Sequence, residues 1–275
     1  MIRQTMILAT LTLAVMASAQ SAVFTFPECA DGPRMTKTEY CKVTENMSWT
    51  SRDSVTLSEI KKGNIPTYLR HAVTINERLE DARGQVHDVG LRVLPDFLAI
   101  GPDEDYMLVP VMPTTASEIA ELSGASLVTT KISDIIHRHA NVLLTPHPMT
   151  PDSTMNSTPV FARHDSIVRS AYRPVAPMLI DGHKKDIVLT KLIPDNPGKL
   201  FIYGWHRPDG SYIQPLHGKH ADWYLDYSHG LRLVAREVIV DGEPLDIRYI
   251  LTHPVLYALL SDEDGPMEMT CYPTE

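Results

Sequence analysis

Several signatures are missing from this 275-residue chain, and each absence removes a class of function. Basic residues are outnumbered, 25 against 34 acidic, for a formal net charge of −9, and no Lys/Arg stripe offsets the deficit. Such a surface repels phosphates, which excludes nucleic acid as a partner. Neither H-E-x-x-H nor C-x-x-C occurs, so no compact zinc signature announces a metal. The G-x-S-x-G elbow of serine hydrolases is also missing, and Ser228 cannot stand in for it. Its neighbour His229 would point to the opposite side of a strand. Past the first residues no run of eighteen apolar side chains appears, which leaves no membrane partner once a leader is removed. There is no internal repeat and no low-complexity tract.

What the N-terminus does contain is a leader. Arg3 supplies a positive start, Met6 to Met16 form a short apolar run, and Ala17-Ser18-Ala19 satisfies the small-residue rule for cleavage after Ala19. The expectation is a secreted, extracellular or periplasmic protein beginning at Gln20. Cleavage after Ala22 and an uncleaved anchor are the alternatives. The remaining chain has ordinary globular composition, 43% hydrophobic and 21% charged overall. It divides into residues 20–64, an irregular N-terminal arm, and residues 65–275, a single α+β domain.

In an oxidising compartment the three cysteines read first as disulfide partners. Cys29 and Cys41 form the favoured pair, with a bridge from the arm to Cys271 as the alternative. Asn46-Met47-Ser48 is a glycosylation sequon, and Asn156-Ser157-Thr158 is a second one weakened by Pro159.

Periodicity then gives the elements. Tyr68, Leu69, Ala72, Val73 and Leu79 predict an amphipathic helix over 66–82, ended by Gly84. Short strands follow around Leu91 to Ile100 and Met107 to Val111. Thr115 with Glu118 marks a short helix closed by Gly124, and two more helices are expected over 132–142 and 160–172. The prolines from Pro146 to Pro159 make a stiff connection. The C-terminal third is strand-like at 187–189, 200–205, 212–213, 223–227 and 231–240, with Asp209-Gly210 and Asp241-Gly242 as hairpin turns. Asp246 caps a last helical stretch to Leu260. Strands that follow one another without helices pair antiparallel. The expected fold is therefore α+β, an antiparallel sheet in the C-terminal third with helices of the N-terminal half packed on it.

Chemistry concentrates between Asp181 and Arg232, where five of the chain's 12 histidines fall. Histidines beside carboxylates at strand ends are the material of metal sites and acid-base pairs. His183, Asp186, Asp226 and His229 are the catalytic candidates. His206, His220 and His229 are the candidate ligands of a zinc ion, which needs three convergent donors and an open position. Trp205, Trp223, Tyr224 and Lys184 are the candidates for holding substrate. Strand alternation places Lys184 and Asp186 on one face with His183 and Lys185 on the other, and sets Gly204 and His206 opposite Tyr203 and Trp205. If 226–229 is extended, Asp226 pairs with Ser228 and His229 turns away. Asp186 and Asp226 also suit a two-carboxylate glycosidase, which their separation would decide. Against all of these stands the plainer alternative, histidines hydrogen-bonded on a strand face.

Lys184-Lys185-Asp186, Ile202-Tyr203-Gly204-Trp205-His206, Ile213-Gln214-Pro215 and Asp226-Tyr227-Ser228-His229-Gly230 together resemble a pattern in an uncharacterised family of secreted bacterial proteins. The likeness extends upstream to Leu94-Pro95-Asp96-Phe97-Leu98-Ala99-Ile100-Gly101. It implies a single-domain protein with its polar centre in the C-terminal third, and brings no activity with it. A fainter similarity is to papain-like cell-wall peptidases, from which the positions of the cysteines depart. The functional expectation is a secreted hydrolase, metal-dependent or not, acting on an extracellular or cell-wall polymer, glycan or peptide, or on a small molecule. The alternative is a non-catalytic secreted protein that binds a glycan or a partner through the same residues.

Overall fold

The computed structural model describes residues 23–29, 32–175 and 178–273; the expected leader and cleavage site lie outside them. The expected irregular arm is instead largely helical, with α1 at Lys37–Thr44 and α2 at Trp49–Lys61. Thr36 and Glu39 close a capping box at the start of α1, and Ser48 caps α2. The helices escape a periodicity search because the buried face of α2 is mostly polar: Arg52, Asp53, Thr56 and Glu59 are buried beside Ile60. Internal partners permit this. Asp53 accepts from the Met112 amide at 2.9 Å and from the Thr115 hydroxyl, and Asn64 donates to Glu59 at 2.8 Å.

The helix expected over 66–82 is also corrected. One 3-10 turn, Thr67–Arg70, leads into strand β1, Val73–Glu80, which pairs antiparallel with β2, Val86–Val93. In β1 the even positions Thr74, Asn76, Arg78 and Glu80 are exposed while Ile75 and Leu79 are buried, a period of two that Tyr68 and Leu69 of the 3-10 turn, followed by Ala72 and Val73, had masked.

The short pair β3 (Ala99–Ile100) and β4 (Met107–Leu108) precedes α3 (Pro113–Leu122), β5 (Ala125–Thr129) and α4 (Thr130–His139). Next come β6 (Val142–Leu143), α5 (Thr158–Ala171), β7 (Ile180–Asp181) and β8 (Lys185–Leu189). The last third holds β9 (Lys199–His206), β10 (Tyr212–Ala221), β11 (His229–Gly230), β12 (Leu233–Ala235), β13 (Glu237–Val240) and β14 (Glu243–Asp246), then α6 (Ile247–Thr252) and α7 (Tyr257–Leu260). The segment expected as a strand at 223–227 is turn and irregular chain, because Asp226 folds back onto the Ser228 amide.

The class is α+β, with one large mixed sheet in the order β10-β9-β8-β5-β12-β2-β13-β14. That sheet is not confined to the C-terminal third, since β2 and β5 of the N-terminal half sit in its middle. Two of its pairings, β5 with β8 and β8 with β11, are parallel. All five residues of β5 are buried, as befits an interior strand, and α4 lies over β9, β5 and β8 through Ile132, Ile135 and Ile136. Each such side chain contributes roughly 1.5 to 3 kcal/mol on leaving water. No described helix is long and apolar enough to cross a membrane. Cys29, Cys41 and Cys271 are free thiols, so neither expected bridge is formed. The Cys41 thiol points instead to the Met107 sulfur, 3.9 Å away.

Candidate functional site

β8 carries two adjacent residues, Lys185 and Asp186, that must point to opposite sides of the sheet, and a polar group forms on each side. Asp186 faces α4. That helix is capped by Thr129, whose hydroxyl accepts from the Ile132 amide at 3.1 Å, and it presents Ser133, Asp134 and His137 at i, i+1 and i+4. Ser133 donates to Asp186 at 2.5 Å. Tyr203 of β9 donates to Asp134 at 3.0 Å, and His206 Nε2 lies 2.7 Å from the same carboxylate.

Regular alternation would send Tyr203 and His206 to opposite faces. The strand avoids this because Gly204 has φ 92° and Trp205 has φ 55°, a left-handed pair that reverses the sense of alternation. Both side chains thereby reach α4, contrary to the expected sorting. A left-handed tryptophan is costly, and its position beside the polar group marks strain at a site. His206 continues to Asp181: its Nδ1 is 3.8 Å from Oδ2, while His137 Nδ1 is 2.8 Å from that same oxygen, and the two imidazoles stack at 4.5 Å. Arg232, fully buried, reaches Asp181 at 3.2 Å and the Ile180 carbonyl at 2.7 Å.

Charge follows from these contacts. Burial pushes the Asp186 carboxyl up to about 7, with the negative Asp181 adding to the shift and Arg232 and Ser133 opposing it. Burial disfavours the charged form of His206, yet the bond to Asp134 and the carboxylates of Asp181 and Asp186 outweigh it and raise the imidazole above its ordinary value. Asp181 stays below the usual carboxylate range despite its burial, held by His137, Arg232 and His206. The group thus sets a carboxyl that holds its proton more tightly than usual beside an imidazole whose charged form is favoured.

The second group gathers Lys184, Asp226 and His229, with His183 nearby. It is made by a turn at 226–229, not by an extended strand: the Ser228 amide donates to Asp226 Oδ1 at 2.7 Å and the His229 amide to the Asp226 carbonyl at 3.2 Å. His229 Nε2 consequently lies 3.6 Å from Asp226 Oδ2. Burial drives the His229 imidazole down to about 4, with Asp226 opposing. Asp226, itself buried, is nevertheless held near 2 by His229, Lys185 and its bonds to Ser228. Lys184 is buried and donates to the Tyr227 carbonyl at 2.5 Å; burial lowers its ammonium to about 8 against the pull of Asp165, Asp226 and Asp96. His183 Nε2 stands 3.0 Å from Asp96, off the line a hydrogen bond needs.

The expected zinc ligands are divided between these groups. His206 belongs to the first, whereas His220 approaches His229 only ring to ring at 5.9 Å and stacks on Tyr224 at 4.6 Å. Donor atoms do converge at His137, Asp181 and His206, all within 4.8 Å of one another. Two imidazoles and a carboxylate suit a zinc-like ion in donor type. The charge balance does not suit it, since Arg232 already neutralises Asp181. Asp186 is bonded to Ser133 beside His206, whereas Asp226 is bonded to Ser228 beside His229. Of the expected substrate contacts, Trp205 is buried under Lys185, whose Nζ lies 5.0 Å from the ring, and Trp223 is 43% exposed and stacked on Trp49.

Ser133, Asp134, His137 and Asp181 went unselected in the sequence. The pair His137 and His139 flanking Arg138 was a visible signal, and its helical register would have pointed to Asp134 and Ser133. Compared with protein-family models, curated proteins and solved structures, the chain gives no match.

Proposed function

We propose that the protein is a secreted hydrolase of an extracellular polymer, with Asp186 and His206 as its base and acid. The observation that supports this reading is the left-handed Gly204-Trp205 step, which turns His206 into contact with Asp134 and beside Asp186. In the proposed reaction Asp186, as carboxylate, takes a proton from water as its oxygen attacks the scissile carbon. His206, as imidazolium, gives the proton on Nδ1, the nitrogen that Asp134 does not hold, to the departing atom, and the water hydroxyl stays on the other fragment. Asp134 holds the imidazole by Nε2, and its side chain, 35% exposed beside the exposed Tyr212, marks the approach from solvent. The Asp226–His229 group, buried and with Asp226 held by its own turn, is assigned to support.

Purified mature protein incubated with peptidoglycan, chitin and cellulose, and assayed for new reducing ends and amino groups, tests the reading. Cleavage of one polymer is expected, with His206→Ala and Asp186→Asn losing about a hundredfold or more at nearly unchanged melting temperature. Because the base must be ionised, the rate should fall as pH drops below about 7, and this limb should be absent from any residual activity of Asp186→Asn. No cleavage of any polymer, or full activity in both variants, overturns it. Elemental analysis of untagged protein tests the metal alternative: one equivalent of zinc would replace the imidazolium with a metal ion at His206.

A further inference from the structure

β9 runs from Lys199 to His206, so its first residue lies roughly 20 Å from the acid-base group at ~3.3 Å per residue. At that far end is a cleft of about 590 Å³. One wall is the indole of Trp223. Trp49 covers one face of this ring, with centroids 4.4 Å apart and planes 5° from parallel, which fixes the indole and leaves its other face to the cleft. The floor is apolar, formed by Pro113, Pro194 and Met269.

Polar side chains stand at the rim. Asp222 and Lys199 line the cleft, and neither side chain has a hydrogen-bond or ion-pair partner among the described residues, although the Asp222 amide donates to the Gly198 carbonyl at 3.0 Å. Asn196 lies beside them, with its amide nitrogen donating to the Leu192 carbonyl at 2.8 Å and its carbonyl oxygen left over. A fixed aromatic face, one free carboxylate, one free ammonium and one free amide oxygen are complementary to a pyranose ring. The ring's C–H face lies on the indole, and its hydroxyls need both donors and acceptors at the edge. A purely apolar ligand would leave Asp222 and Lys199 desolvated and unpaired.

We propose that this cleft is a saccharide-binding subsite, which holds a glycan chain at a distance from the catalytic group. The assignment takes the polymer of the proposed function to be a glycan, but the binding step can be measured apart from cleavage.

Calorimetric titration with β-1,4-linked tetrasaccharides of glucose and of N-acetylglucosamine, and with decaproline for a peptide occupant, decides the matter. At least one tetrasaccharide should bind wild type and His206→Ala alike. Trp223→Ala should weaken it at least tenfold, and Asp222→Asn should weaken it too, whereas Trp223→Phe should retain most of it. Melting curves of each variant separate loss of the platform from loss of the fold, and the Asp222→Asn result carries the test if Trp223→Ala does not fold. Absence of saccharide binding at millimolar concentration, binding indifferent to both positions, or binding of decaproline alone refutes the subsite. Saccharide binding at Trp223 without cleavage of any polymer would instead refute the hydrolase reading and leave the subsite standing.

Discussion

A methyl group added to Gly204 would arrive 2.9 Å from His206 Cε1 and 3.4 Å from the Ser133 hydroxyl, at a φ of 92° that side chains rarely adopt. Gly204→Ala should therefore both strain the backbone, by about 1 to 2 kcal/mol, and displace the imidazole. The expected result is a melting temperature lowered by a few degrees together with a far larger fall in the proposed polymer cleavage. Equal, small losses in both would show that the kink does not position His206. The same residue explains why the site was only half legible in the sequence. Asp186 and His206 stood out by type, but their partnership depends on two left-handed residues that alternation rules treat as ordinary strand. Arg232 is a second case. It was noticed only as the end of a segment, yet its guanidinium is the buried counter-charge of Asp181 and lies 4.2 Å over the Phe97 ring. Arg232→Met should cost about 3 to 5 kcal/mol by stranding that carboxylate. Chemical denaturation would measure it, and a loss below 1 kcal/mol would contradict the assignment.

Among elements, those with a simple apolar period or a strong turn were readable. α3, α4 and α5 fall where Ile119, Ile132 and Val160 led, and the Asp241-Gly242 turn takes the two positive φ values, 53° and 89°, that a tight hairpin requires. α1 and α2 were not, because α2 buries Arg52, Asp53 and Glu59 and so offers no amphipathic stripe. The Thr36-x-x-Glu39 box of α1 stood in the sequence but was passed over. Removing the box with Thr36→Ala should cost about 1 kcal/mol, seen as a small drop in melting temperature. More is tied to it than helix ends: Lys37, the next residue, reaches Asp165 of α5 at 2.6 Å, and Asp165 in turn accepts the Leu108 amide at 2.9 Å. A melting temperature unchanged in Thr36→Ala would mean that packing alone holds α1 in place.

For the molecule as a whole, buried imidazoles set the response to acid. Burial, with Lys184 and His183 adding to it, drives His164 down to about 2, and His229 is lowered to about 4, so the folded form refuses protons that the unfolded chain accepts near pH 6.5. Their contribution to stability is complete above pH 6.5 and drains away as pH falls toward 4. The depressed carboxylate of Asp226 adds a further loss between about 4 and 2. Asp186 works the other way, since its raised carboxyl favours the folded form at low pH and weighs against it as pH rises through about 7. The lowered imidazoles of His164, His229, His217 and His220, against the raised carboxyls of Asp186 and Asp53, predict a melting temperature that declines from pH 6.5 to 4, with a shallower slope in His164→Gln; a level profile in wild type would contradict this. The strand order has a consequence of another kind, in time. β12 lies between β5 and β2, with Val234 paired to both Ser126 and Val93. The two early strands meet only through a strand that leaves the ribosome long after them. Their edges stay open until residue 235 has been made, so the central sheet closes late, through contacts distant in the chain, and folding is correspondingly slow.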